Sequence, residues 1–272
     1  MTAPADAADR FLALHHENVP LLMPNAWDPG SAVLLASLGF SAIATTSSGF
    51  AATLGRLDGT ISRAEALDHA AALVAATDVP VSADLENGYA DEPAAVADTV
   101  ARAVDIGLAG CSIEDYSGNV DDRIYPFDLA VERVAAAVEA AHAGPGRLVL
   151  TARAENALHG RNDLDDTIAR LQAYGQAGAD VLYAPGITAP DDIARLVSSV
   201  DRPVNVLASG AAPLVAELAA IGVSRILVGG SFAFAALGAV VEAAQELIEQ
   251  GTYGFQARAR VGKAAVRQAF AG

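Results

Sequence analysis

Val79-Pro80-Val81-Ser82-Ala83-Asp84-Leu85-Glu86-Asn87-Gly88-Tyr89 is the stretch that decides the fold. A short apolar run ends in acidic residues and then in Asn-Gly, as a buried strand does when it stops at a polar loop. The same layout recurs at Gly110-Cys111-Ser112-Ile113-Glu114-Asp115 and at Leu148-Val149-Leu150-Thr151-Ala152-Arg153-Ala154-Glu155. As neighbouring parallel strands, these runs bring Asp84, Glu86, Glu114, Asp115 and Glu155 to one rim, where a hard divalent cation finds oxygen ligands. Asp84 and Glu86, two apart, would face one side as strand residues.

Outward from this stretch, further short runs occur at Leu21–Met23, Ala42–Thr45, Val181–Ala184, Val204–Leu207 and Arg225–Val228. Between them lie alanine-rich segments with helical spacing, such as 63–76, where Ala66, Leu67, Ala70, Leu73 and Val74 form one apolar stripe. Similar patterns cover 92–106, 126–141, 163–178 and 190–200, and Gly39, Gly107 and Gly178 stand where helix C-termini favour glycine. Alternating strands and helices in this number predict an α/β (β/α)8 barrel forming a single domain over residues 1–272; a doubly wound open sheet is the alternative.

With 272 residues, 53% of them hydrophobic, the chain can bury a sizeable core. Its net charge of −16 argues against nucleic acid or anionic membrane as partner, since phosphate binding relies on Lys and Arg. The basic residues Arg258, Arg260, Lys263 and Arg267 fall in the acid-free segment 251–272, a tail suited to docking on an acidic body. Lys263 is the sole lysine, which speaks against a Schiff-base aldolase. Cys111 is the sole cysteine, so no intrachain disulfide can form, and the expected compartment is the reducing cytoplasm. The opening residues lack the pattern of a secretory signal, and the uncharged run 226–241, broken by Gly229-Gly230-Ser231, reads as strand, turn and buried helix rather than a membrane span.

Barrels carry their chemistry at strand C-termini. There, Thr45-Thr46-Ser47-Ser48-Gly49 offers hydroxyls and backbone N–H groups for a carboxylate or phosphoryl group, or forms an ordinary serine-rich turn. Arg153 is placed to clamp a substrate carboxylate, or else to pair structurally with the neighbouring acids.

In order and spacing these residues resemble the phosphoenolpyruvate mutase/isocitrate lyase family from about Pro20 to Val241. The resemblance is carried by Asn25-Ala26-Trp27-Asp28, by Ser48-Gly49-Phe50 with Leu54-Gly55 and Asp58, by Asp84-Leu85-Glu86-Asn87-Gly88-Tyr89, by Ile113-Glu114-Asp115 and by Ala152-Arg153-Ala154-Glu155. It implies a Mg2+ site, with Mn2+ as a substitute, in which Asp84 is the nearest ligand and Glu86 and Glu114 act directly or through water, with Asp58 in support. It further implies substrate contacts from Trp27, Ser48, Gly49, Phe50, Arg153 and Asn205, and catalytic roles for Arg153, Asp58 and Tyr116. The family reaction breaks a carbon–carbon or carbon–phosphorus bond of a small carboxylic acid through an enolate-type oxyanion, which the cation stabilises as a Lewis acid. Family members commonly exchange the helix after strand eight, so the resemblance implies a homo-oligomer, dimer or tetramer.

The loop Asp115-Tyr116-Ser117-Gly118-Asn119-Val120-Asp121-Asp122-Arg123 departs from the family, lacking the lysine, cysteine and histidine of the isocitrate and methylisocitrate lyases. That favours a reaction needing fewer loop groups, such as oxaloacetate decarboxylation or retro-aldol cleavage of a substituted malate, with Tyr116 or His159 as proton donor. A carbon–phosphorus mutase or hydrolase, a phosphate-binding barrel using Ser209-Gly210-Ala211 and Gly229-Gly230-Ser231, and a non-catalytic binding barrel are the alternatives.

Overall fold

The computed structural model describes residues 4–119, 121, 123–143 and 147–271; Val120 and Asp122 of the loop above lie outside the described residues, as do Met1 to Ala3 and Gly272. Among the described residues nine parallel strand segments form one sheet: β1 (Leu21–Met23), β2 (Asn25–Ala26), β3 (Ile43–Thr45), β4 (Val81–Asp84), β5 (Gly110–Glu114), β6 (Val149–Arg153), β7 (Val181–Tyr183), β8 (Val204–Leu207) and β9 (Arg225–Leu227). The first two are halves of one strand interrupted at Pro24, which has no N–H to donate to a ladder. β1 pairs with β9 and β2 with β3, so the interrupted strand joins both ends of the sheet and the barrel closes. The Pro24 carbonyl still accepts from Ala44 N at 2.9 Å. The sheet is therefore a (β/α)8 barrel and not a doubly wound open sheet.

Alternate strand residues divide between two cores. Outward-facing Ile43, Ile113, Leu150, Leu182 and Ile226 pack against the helices. Those helices include α2 (Pro29–Ser37), α3 (Ser47–Thr53), α4 (Arg63–Ala76), α5 (Pro93–Asp105), α6 (Phe127–His142), α7 (Leu164–Gln176), α8 (Pro190–Ser198) and α9 (Val215–Ile221). Inward-facing Leu21, Met23, Ala44, Val149 and Val181 meet Phe11, on the N-terminal helix α1 (Pro4–Leu14). Phe11 is fully buried and plugs the barrel at the strand starts, which stabilises it by about 1.5–3 kcal/mol. Gly110 makes room for it, since a Cβ there would stand 2.6 Å from the Phe11 ring.

Local sequence signals are obeyed. Ser62 and Glu65 form a reciprocal capping box at the start of α4, and Gly39, Gly107 and Gly178 adopt φ of +95°, +83° and +105° after α2, α5 and α7.

One expectation fails. After β9 the chain forms α10 (Ser231–Gln250), but Ala233 is its one buried residue, so this is not a buried helix. It is long and apolar enough to cross a membrane by length and composition alone. Phe234, Val240 and Ile248 are exposed at 51%, 64% and 82%. The basic segment forms a further helix, α11 (Gln256–Phe270), tied to α10 by an Arg258–Glu242 ion pair at 3.0 Å.

Candidate active site

β4 and β5 end on Asp84 and Glu114, and β6 on Arg153, which stands directly opposite Glu114 in the ladder. Two adjoining cavities open at these strand ends, one of about 150 Å³ and one of about 470 Å³, and both are bordered by Ser47, Asp58, Asp84 and Arg153. Asp58 reaches this border from the exposed loop between α3 and α4. The larger cavity is completed by Glu86, Glu114, Tyr116, Glu155 and His159.

Glu86 arrives by a route other than strand alternation. The strand stops at Asp84, Leu85 turns into the core, and Glu86 takes φ +48°, a left-handed conformation uncommon for a residue with a Cβ. Tyr89 repeats it at φ +59°. Arg133 holds the outside of this turn by donating to the carbonyls of Asn87, Ala90 and Asp91, and its guanidinium lies 4.0 Å from the Tyr125 ring centre. Strain of this kind marks a segment held in place by its surroundings.

Arg153 is enclosed by carboxylates. Its Nη1 lies 2.9 Å from Asp84 Oδ1, and its Nη2 lies 3.1 Å from Glu114 Oε2 and 2.8 Å from Glu155 Oε1. Burial favours the neutral guanidine, but Glu114, Glu155 and Asp84 outweigh it and hold Arg153 firmly charged. Glu114 and Glu155 are both raised above the ordinary carboxylate range, chiefly by burial. Glu86 is pushed up to about 7 by burial first and then by Asp84 and Asp58, and its Oε1 is buried with no hydrogen-bond partner. Asp84 is better served: its Oδ2 accepts from Ser47 Oγ at 3.2 Å, and its backbone N–H donates to Thr45 Oγ1 at 2.8 Å.

Behind this rim stands a network that sequence reasoning missed. Asp115, expected at the rim with Glu114, is buried behind it and enters neither cavity. Its Oδ1 accepts from Glu155 N at 2.8 Å, and its Oδ2 accepts from Arg170 at 3.0 Å and from Tyr174 at 2.7 Å. Arg170 also binds Asp166 at 2.9 Å. Arg170 and Tyr174, four apart on α7, share the helix face that packs on the barrel; that spacing is the only signal the sequence held. Arg225, at the start of β9, is a second such residue.

The remaining expected contacts separate into two groups. Ser48 lines the smaller cavity and Tyr116 the larger, where Tyr116 stacks on His159 with ring centres 3.8 Å apart. Gly49, Trp27, Phe50 and Asn205 line neither. Gly49 is sealed, its N–H donating to Thr46 Oγ1 at 3.2 Å and its missing Cβ leaving room for Thr46, Ala233 and Trp27. Trp27 accepts from His69 through its carbonyl, and Phe50 stacks on the same histidine at 3.9 Å. Asn205 is buried against Arg225.

Residues 11–248 match the family model described as phosphoenolpyruvate phosphomutase. The chain belongs to the phosphoenolpyruvate mutase/isocitrate lyase family. Its relatives include a crystal structure from Burkholderia cenocepacia J2315, assigned provisionally as a lyase/mutase, at 54% identity and TM-score 0.90 over 93% of this chain and 91% of that one. The oxaloacetate decarboxylase of Chromohalobacter salexigens is 30% identical over 89% of this chain and 85% of its own. A 2,3-dimethylmalate lyase of the same superfamily superposes over the full length of both chains with TM-score 0.82 at 26% identity. The protein is thus an enzyme of this family of lyases and mutases.

The family implies a divalent metal. Among the described residues no group of three or more histidine, cysteine, aspartate or glutamate side chains is arranged to hold a metal ion, and Arg153 stands among the carboxylates. The donor chemistry nevertheless suits a hard cation. The donors are all oxygens, Glu86 carries an orphaned one, and burial first, then the neighbouring carboxylates, raise the proton affinity of Glu86 and Glu114 against the pull of Arg153.

Proposed function

We propose that this enzyme is a Mg2+-dependent lyase that cleaves a carbon–carbon bond in a small 2-oxo or 2-hydroxy carboxylic acid, in the manner of an oxaloacetate decarboxylase or a substituted-malate lyase. The observation that carries this reading is the convergence of Asp84, Glu86 and Glu114 on one cavity beside Arg153, with Glu86 Oε1 lacking any partner. Asp84, Glu86 and Glu114 are the residues that would hold Mg2+, with Asp58 in support. When bound, the cation would supply Lewis-acid stabilisation to a developing oxyanion.

The chain's own groups do the rest. Arg153 presents a fixed positive charge between the two cavities, backed by the ring of Tyr183 at 5.2 Å, and binds the substrate's carboxylate end. Ser48 offers a hydroxyl from the other wall. Leu158 gives both cavities an apolar border. Tyr116 and His159 close the outer side, where either can return a proton to the carbon that loses its substituent. In decarboxylation the carboxyl group leaves as carbon dioxide and that carbon takes one proton. The relatives named oxaloacetate decarboxylase and 2,3-dimethylmalate lyase support this choice, and so does the loop after Asp115, which lacks the lysine, cysteine and histidine of the isocitrate-type lyases.

Assaying pyruvate release from oxaloacetate, methylisocitrate, dimethylmalate and phosphonopyruvate, and phosphoenolpyruvate formation from the last, with and without Mg2+, tests the reading. Metal-dependent turnover of one of the carbon–carbon substrates is expected. Turnover of phosphonopyruvate alone would assign the carbon–phosphorus alternative.

The same reading includes a homo-oligomer in the cytoplasm. The exposed apolar side chains of α10 and the basic helix α11, on a chain of net charge −16, suit burial against a second copy. Partners other than the small-molecule carboxylic acid and further copies of the chain, nucleic acid and membrane included, form no part of it.

A further inference from the structure

Arg225 is 1% exposed and lies inside the barrel. Its Nε donates to Asn205 Oδ1 at 3.0 Å, its Nη2 to Thr151 Oγ1 at 2.9 Å, and its Nη1 stands 3.1 Å from His15 Nε2. All three partners are uncharged, for burial, aided by Arg225 itself, pulls His15 down to about 3. Of the other buried arginines near the site, Arg153 faces three carboxylates and Arg170 two, while Arg133 is met by three backbone carbonyls. Among the described residues Arg225 has no such counter-charge, and burial lowers it to about 9. A buried guanidinium without an anion is a costly arrangement unless something brings the anion.

Two further observations say where that anion sits. Arg225 lines the smaller cavity together with Ser48, Asp84 and Arg153. Since Arg225 begins β9 and Asp84 ends β4, the cavity runs from the acidic rim inward along the barrel, and Arg225 marks its inner end. Beside the guanidinium, Asn205 Nδ2 is a buried donor with no partner. Three of the five guanidinium N–H groups are engaged or face His15, which leaves two for a ligand. A volume of about 150 Å³ is room for roughly five waters, or for a short carboxylic acid in their place.

We propose that Arg225 makes the inner end of this cavity an anion subsite, which takes the carboxylate of the substrate that lies remote from the acidic rim. The identity of the ligand as a dicarboxylic substrate rests on the lyase reading above. The demand for an anion does not, because it follows from the unpaired guanidinium. Such a subsite selects for acids with a second carboxylate at the right distance from the bond that breaks.

The test uses the full-length protein, Arg225→Met and Asn205→Asp. The first removes the cation; the second places a built-in carboxylate 3.0 Å from Arg225 Nε in an isosteric side chain. Binding of propionate and of chloride is measured calorimetrically in metal-free buffer, and kcat/KM for oxaloacetate with Mg2+. Propionate should bind the wild type and lose at least ten-fold in affinity in either variant, the loss of a charge-assisted bond. The kcat/KM for oxaloacetate should fall by a similar factor in both, mainly through KM. If Arg225→Met does not fold, Asn205→Asp alone decides. Propionate binding unchanged in the variants, alongside Mg2+-dependent turnover, would overturn the subsite and leave the lyase reading standing. Propionate binding lost in the variants, without turnover of any substrate, would uphold the subsite and overturn the lyase reading. Chloride binding without propionate binding would overturn the assignment to a substrate carboxylate.

Discussion

Arg153 and Glu114 face each other across adjacent strands, with Nη2 3.1 Å from Oε2 at the floor of the acidic cavity. The pair is embedded among Asp84 and Glu155, so one guanidinium balances several carboxylates. Replacing Arg153 with Met leaves those acids uncompensated, which typically costs about 3–5 kcal/mol. Thermal unfolding of Arg153→Met in chelator should show a large fall in Tm, and added Mg2+ should restore more of it than in the wild type. Equal responses to Mg2+ would mean that the cation does not meet these carboxylates.

Glu86 gives the metal-free protein a pH signature. Its native value of about 7 exceeds the ordinary 4.5, so the native state holds the proton more tightly than the unfolded chain. Between those values stability should fall as pH rises, by on the order of 3 kcal/mol in total. Denaturant titrations of Glu86→Gln in chelator should show a shallower slope, the remainder coming from Glu114 and Glu155, which burial also raises; a slope identical to the wild type would place its origin elsewhere.

The strands and most helices were legible because single runs announce them: Val81–Asp84 and Gly110–Glu114 are short, apolar and end on acids. The arrival of Glu86 at the cavity was not, since a strand alternation was expected and a left-handed turn supplies it, held by Arg133 from 42 to 46 residues away. Phe11, His15 and Arg225 escaped for a similar reason. Nothing local marks α1 as a plug, and Arg225 meets His15 across 210 residues of chain. Burial of the helix after strand eight within its own chain was not legible, because apolar composition does not distinguish a face covered by the same chain from one that this chain leaves exposed, as the exchange of this helix between subunits would require.

Asp115 acts from behind the rim, through Glu155. Arg170→Met would leave buried Asp115 with only the Glu155 N–H and the Tyr174 hydroxyl and no positive charge against it, and should cost about 3–5 kcal/mol, whereas Tyr174→Phe, which removes one hydrogen bond, should cost about 1–3 kcal/mol. Denaturant midpoints check both; similar losses from the two would contradict the charge-based account.

Gly49 is needed for space. A Cβ there would lie 2.5 Å from Thr46 Cγ2 and 3.1 Å from Ala233 Cβ. Gly49→Ala should therefore destabilise by about 1–3 kcal/mol through overpacking, and a Tm unchanged from the wild type would show that α3 shifts freely.

Val240 and Ile248 stand 64% and 82% exposed on α10. Charged replacements, Val240→Glu and Ile248→Glu, should convert an oligomer to monomer in light scattering at micromolar concentration without loss of helical content. A wild-type monomer under those conditions would end the proposal of a second copy on this face.

If the carboxylates at the ends of β4 and β5 work through a divalent cation, pyruvate release from the best substrate should respond as Mg2+ is titrated into chelated wild type and Asp84→Ala. Saturable activation of the wild type and a loss of about a thousand-fold or more in the variant are expected. Full activity in chelator, or turnover unchanged by Asp84→Ala, would contradict that role for the cation.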